Sequence, residues 1–118
     1  MSKVKVILKI NDYLIEEKAI IKDSILLLKD KDNLKTNIKI DLIKNTIIRE
    51  NKEMLIEINF ENKIINYHIK ELNKSFTSPF EILNLEKKEE QLKIKYKIEN
   101  NIFNLFLEYK EEKNERGN

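Results

Sequence analysis

The chain has 118 residues, 41% hydrophobic and 37% charged, which fits one domain with a single core. Its 23 basic and 21 acidic residues leave a net charge of +2. The signs are interspersed, as in KDKD (Lys29–Asp32) and KKEE (Lys87–Glu90), which argues against the clustered basic excess of nucleic-acid binders and against an anionic membrane surface as partner. There is no cysteine, so no disulfide framework and no thiolate metal site.

The N-terminal stretch MSKVKVILKIND alternates lysine with apolar residues and has no continuous apolar segment of a signal peptide. No apolar run approaches the roughly 20 residues of a membrane helix. The expectation is a cytoplasmic protein without a cofactor.

Period two, the strand signature, begins at once, with Val4, Val6, Leu8 and Ile10 alternating with Lys3, Lys5, Ile7 and Lys9. Tyr13 to Ile21 breaks strict alternation at Glu16-Glu17-Lys18 and Ile20-Ile21, which predicts a strand with a bulge. SILLLK (Ser24–Lys29) reads as a short strand. Next come Ile38, Ile40 and Leu42, then TIIRE (Thr46–Glu50), then Met54, Ile56, Ile58 and Phe60. The pattern reaches Ile69, pauses, and resumes by Leu83 or Leu85. Leu92, Ile94, Tyr96 and Ile98 continue it, followed by a last amphipathic strand. A domain over 1–111 and a disordered, charged tail over 112–118 complete the expectation.

The folded body has one proline, Pro79, and the only glycine is Gly117, so the turns fall to other residues. Opposed residues in a hairpin share a sheet face, and a one-residue slip exchanges the faces. Two-residue turns at Lys44-Asn45, Asn51-Lys52, Asn62-Lys63 and Asn100-Asn101 set Leu42 opposite Ile47, Ile47 opposite Ile56, Ile58 opposite Tyr67 and Tyr96 opposite Leu105. Apolar meets apolar throughout, except at Arg49, which falls between Ile40 and Met54. Asparagine, tolerant of positive φ, is expected to do the work of glycine. The long pause at ELNKSFTSPFEILNL (Glu71–Leu85) reads as a kink or crossover where the sheet bends to close, with Pro79 at an edge or bulge. Such a meander predicts an all-β fold, an antiparallel barrel of about eight to ten strands.

Several pieces, clearest over 35–111, carry a family resemblance: KTNIKID (Lys35–Asp41), TIIRE with Arg49, MLIEINF ending at Phe60, FTSPFEI (Phe76–Ile82) and LKIKYKI with Tyr96. In this order the chain resembles the YwiB-like family of bacterial β-barrels of calycin (lipocalin-like) type, whose function is not established. The family's Tyr-x-Thr-Pro-Tyr-Gly-like stretch is matched by Phe76, Thr77 and Pro79, without the glycine. The resemblance implies a barrel with a calycin-like interior and brings no catalytic residues.

Arg49 is the leading candidate for a ligand contact. An inward guanidinium cannot deprotonate and needs a partner: an anionic ligand group, an internal carboxylate such as Glu17, or water reached from the barrel mouth. Phe60, Tyr67, Tyr96 and Tyr109 share the inward face, where they would line a cavity or simply fill the barrel. His68, the single histidine, points outward opposite Glu57 and is read as a surface residue, with no nucleophile or metal ligand spaced around it. Ile102 and Phe106 point outward, as do Ile48 and Leu55. The expectation is a non-enzymatic barrel binding a small apolar or amphipathic ligand, Arg49 contacting any anionic group. The alternative is a structural or protein-interaction module with a packed core, a homodimer through Ile102 and Phe106.

Overall fold

The computed structural model describes residues 2–30 and 33–112. The tail expected over 112–118 lies, apart from Glu112, outside the described residues. All regular structure among the described residues is strand: β1 (Ser2–Ile10), β2 (Tyr13–Lys22), β3 (Ile25–Asp30), β4 (Asn33–Asp41), β5 (Thr46–Glu50), β6 (Met54–Asn59), β7 (Ile64–Ile69), β8 (Lys74–Pro79), β9 (Glu81–Lys88), β10 (Gln91–Ile98) and β11 (Asn101–Glu111). They form one antiparallel meander in the order β8-β7-β6-β5-β4-β3-β2-β1-β11-β10-β9, a nearly closed barrel of eleven strands. Eleven exceeds the expected eight to ten because the long pause in alternation itself holds two strands.

Those two strands, β8 and β9, are the edges of the sheet, yet only Phe80 separates them. One kinked run thus pairs with β7 along its first half and with β10 along its second. Pro79 lies opposite Ile64, while the next residue, Phe80, donates its N–H to Lys63 O at 3.0 Å. Alternation along the strand therefore turns the nitrogen of Pro79 away from β7, toward the unpaired edge, where a missing donor costs nothing. Lys87 Nζ then reaches the β4–β5 turn, donating to Leu42 O at 3.0 Å and Asn45 Oδ1 at 3.2 Å. The expected kink toward closure is this hinge.

The interior follows period two. Val4, Val6, Leu26, Ile38, Ile94 and Leu107 are among the buried aliphatics, each stabilising the fold by roughly 1.5–3 kcal/mol relative to exposure. Four aromatic rings pack against one another in the interior. Phe60, Phe80 and Tyr96 sit 5.5–5.6 Å apart, and Phe103 stacks on Tyr96 at 5.3 Å.

Four sequence expectations are corrected. β2 has no bulge: it pairs with β1 in unbroken register from Ser2↔Ile21 to Ile10↔Tyr13. Glu17 is simply an inward-row residue of that strand, and the register shifts fall elsewhere, between Lys29 and Asp30 and between Lys95 and Tyr96. The four hairpins keep the expected faces but pair two residues out of the expected register. Ile40 faces Ile47, Ile47 faces Ile58, Ile58 faces Ile65 and Tyr96 faces Phe103. Each turn is centred one residue from its expected position, a displacement that leaves parity, and hence the face, unchanged. Arg49 accordingly lies between Ile38 and Ile56, and His68 lies between Leu55 and Ser75 rather than opposite Glu57.

The fourth correction concerns asparagine. Asn11, Asn45 and Asn73 do take positive φ, but so do Asp23, Ser24, Lys63, Glu90 and Glu99. Other turns use a side-chain acceptor instead. Asn51 Oδ1 accepts from the N–H groups of Glu53 and Met54, both at 2.9 Å, and Asn59 Oδ1 accepts from Asn62 at 2.9 Å. Asp41 Oδ1 does the same for Ile43 and Lys44. The Lys44 N–H is the main cause holding the Asp41 carboxyl below its ordinary range; burial opposes it, and the Ile43 N–H and the charges of Lys44 and Lys39 add to the lowering.

Candidate ligand-binding site

Beside the aromatic rings the interior is lined by branched aliphatics, which reach less far across the barrel than rings do. Leu8 and Ile10 of β1, Ile15 of β2, Ile38 of β4, Ile47 of β5, and Ile56 and Ile58 of β6 surround a cavity of about 320 Å³. Tyr13 and Arg49 complete its wall. Each comes from the inward row of its strand, so the same alternation that builds the core builds the cavity.

The polar part of the wall is tied together by Asp30, whose side chain is fully buried at the end of β3. The Tyr13 hydroxyl donates to Asp30 Oδ2, and Arg49 Nη2 donates to the same oxygen at 3.2 Å. Three strands, β2, β3 and β5, thus meet at one carboxylate. The pairing lowers the cost of burying its charge, since a buried ion must be both paired and hydrogen-bonded. The Arg49 side chain remains 44% exposed, so its head stands at the cavity mouth between Asp30 and solvent.

Of the five residues named from the sequence, only Arg49 lines this cavity. Phe60 and Tyr96 belong to the aromatic cluster, buried at 4% and 2% exposure. Burial pushes the Tyr96 hydroxyl up to about 12, and the neighbouring Tyr67 adds to the rise. Tyr67 lies on the inward row of β7 opposite Ile56 and Phe76. Tyr109 sits by the β9–β10 turn, its N–H on Glu90 O at 3.0 Å. Its hydroxyl is raised first by burial, then by Glu90 and Glu89. The five therefore do not form one site.

The partner expected for Arg49 among the inward carboxylates is Asp30, not Glu17. Two residues of the cluster, Tyr13 and Asp30, are not among the candidates taken from the sequence, although a signal for both is present there. Leu26, Leu28 and Asp30 form one inward row, and Tyr13 follows the Asn11-Asp12 turn directly opposite inward Ile10. His68 is tied to the sheet surface through Nδ1 and Ser75 Oγ at 2.8 Å. Among the described residues no three His, Asp or Glu side chains converge to hold a metal.

No family model, no curated protein and no solved structure matches this chain.

Proposed function

We propose that the protein is a non-enzymatic binding barrel for a small apolar or amphipathic ligand, held in the aliphatic cavity with its polar end at Arg49. The observation that carries this reading is the cavity itself. A core normally closes to crystal-like density, whereas about 320 Å³ stands open here behind a charged mouth, within the size range of small-molecule sites. At about 30 Å³ per water-sized atom, that volume suits a ligand of roughly ten heavy atoms. Arg49 spends one contact on Asp30 and keeps further donors for a carboxylate or another oxygen at the mouth. We read the chain, on its motifs, as a YwiB-like, calycin-type barrel of the bacterial cytoplasm.

Titration calorimetry with octanoate and octanol tests this. Both are expected to bind. Arg49→Met should weaken octanoate at least tenfold while leaving octanol within about threefold, and Ile56→Phe should remove both by filling the cavity without unfolding the barrel. Failure of both probes to bind, together with a native mass spectrum of host-purified protein showing no retained small molecule, would overturn the reading in favour of a packed structural module. The homodimer of that alternative would use Ile102, 49% exposed, and Phe106, over whose ring Lys93 Nζ lies at 5.9 Å.

A further inference from the structure

The outer face of the sheet from β1 to β6 carries two neighbouring rows of side chains, fixed by the strand register. One row runs through the pairs Lys3↔Ile20, Ile20↔Leu27, Leu27↔Lys39 and Lys39↔Ile48. The other lies two residues along each strand. It starts at Lys18 and continues through Lys29↔Asn37, Asn37↔Glu50 and Glu50↔Leu55. Both rows line one trough of about 780 Å³, which therefore crosses the strands instead of following them. Where β2 and β3 cease to pair it deepens to inward residues such as Leu28. Ile38 is the single residue it shares with the wall of the ligand cavity, so the two sites are separate and this one does not depend on the reading of the other.

The trough combines apolar contact with unsatisfied positive charge. Ile20 and Leu27 lie side by side, 39% and 46% exposed, and Ile48 and Leu55 extend the apolar surface toward β6. Adjoining apolar residues of this kind mark a contact surface, where single ones would not. Lys3, Lys18, Lys29 and Lys39 are exposed, and none is held in an ion pair among the described residues. Of the carboxylates that line the trough, Glu50 is already taken by Lys70 at 2.7 Å, Glu17 belongs to the inward row, and Glu112 lies at the β1 end. The lysines stand on four successive strands, about 4.8 Å per step. Charge spread in this way matches several carboxylates set at intervals, not one anionic headgroup. An added strand is also a poor fit, because it must run along an unpaired edge, whereas β3 to β6 are laddered to one another beneath the trough. The occupant must bring side chains, and a helix brings them at 5.4 Å per turn, close to one turn per strand crossed. A second copy would set lysine against lysine, since the Ile102 and Phe106 surface is itself flanked by Lys97 and Lys93. We propose that the trough docks an acidic amphipathic helix of a partner protein, its apolar face on Ile20, Leu27, Ile48 and Leu55 and its carboxylates on the four lysines.

The probe is the fluorescein-labelled peptide Ser-Glu-Glu-Leu-Ala-Glu-Leu-Leu-Glu-Ala-Leu-Glu-Glu-Leu-Leu-Glu-Ala-Glu-amide, titrated with the full chain and followed by fluorescence anisotropy. It should bind, and more weakly as salt is raised. Leu27→Asp should weaken it at least tenfold, and so should Lys29→Glu combined with Lys39→Glu; all three positions are exposed, so the barrel keeps its fold. Leu83→Asp, on the β9 edge and 44% exposed, should stay within threefold of the parent. A peptide with proline at its two central positions should lose at least tenfold. The proposal is overturned if the parent peptide does not bind, if the proline peptide binds equally well, or if Leu27→Asp binds like the parent. It is also overturned if the chain sediments with phosphatidylglycerol vesicles and the double lysine variant does not, which would make a lipid surface the occupant. A dimer in analytical ultracentrifugation that Leu27→Asp dissociates would overturn it in favour of a second copy.

Discussion

Tyr96 stands where four rings meet, so ionising it means placing a phenolate among Phe60, Phe80 and Phe103. Its hydroxyl titrates near 12 in the fold against about 10 in an unfolded chain. Below pH 10 both states keep the proton, and its contribution to stability is fully present. Between about 10 and 12 the unfolded state releases the proton first, so stability falls as pH rises through that window. Denaturant melts of Tyr96→Phe should show a shallower loss over those pH values than the parent; equal slopes would place the alkaline sensitivity elsewhere. At this scale the inward position of Arg49 was legible from parity alone. Its partner Asp30 continues the inward row of Leu26 and Leu28 one residue beyond SILLLK, but a polar residue at a strand end does not mark itself as inward.

The turns make the corresponding point for elements. Lys63 and Glu99 hold φ of 58° and 55°, in the left-handed region where a Cβ is unfavourable and glycine is not. Lys63→Gly and Glu99→Gly should each therefore raise stability by about 0.5–1 kcal/mol, seen as a higher urea midpoint at unchanged slope. Lower midpoints for both would mean that the cost of ordering glycine outweighs the relief. The same turns explain why faces were readable and registers were not. Period two distinguishes odd from even, so a turn centre displaced by one residue moves the pairing by two and leaves Ile opposite Ile. Whether a turn has two residues or four depends on left-handed positions and on acceptors such as Asn51 and Asn59, which no face pattern encodes.

Across the molecule, most pairings join neighbouring hairpin strands, but the β1–β11 ladder, from Val4↔Glu111 to Ile10↔Leu105, joins the two ends of the domain. Topologies with such distant pairings fold in milliseconds to seconds. Refolding from urea, followed by stopped-flow circular dichroism, should have its main phase in that range. Recovery of the full native signal within microseconds would show that the end-to-end ladder does not limit folding. The barrel was readable from the sequence because alternation and hairpin parity act locally. The shortness of the β2–β3 ladder, three pairs from Ile20↔Leu27 to Lys22↔Ile25, was not, because period two reports which face a side chain takes and is silent on how far the neighbouring strand stays paired.

The β1–β11 ladder also sets an order of events when the chain is made. The first strand to emerge lies in the middle of the sheet, and one of its sides has no partner until the last strand is synthesised. At 5–20 residues per second, the backbone groups of Lys3, Lys5, Ile7 and Lys9 that will face β11 stay open for on the order of 5–20 s. Three of those four residues are lysines, so the waiting edge carries charge at alternate positions, which discourages pairing between unfinished chains.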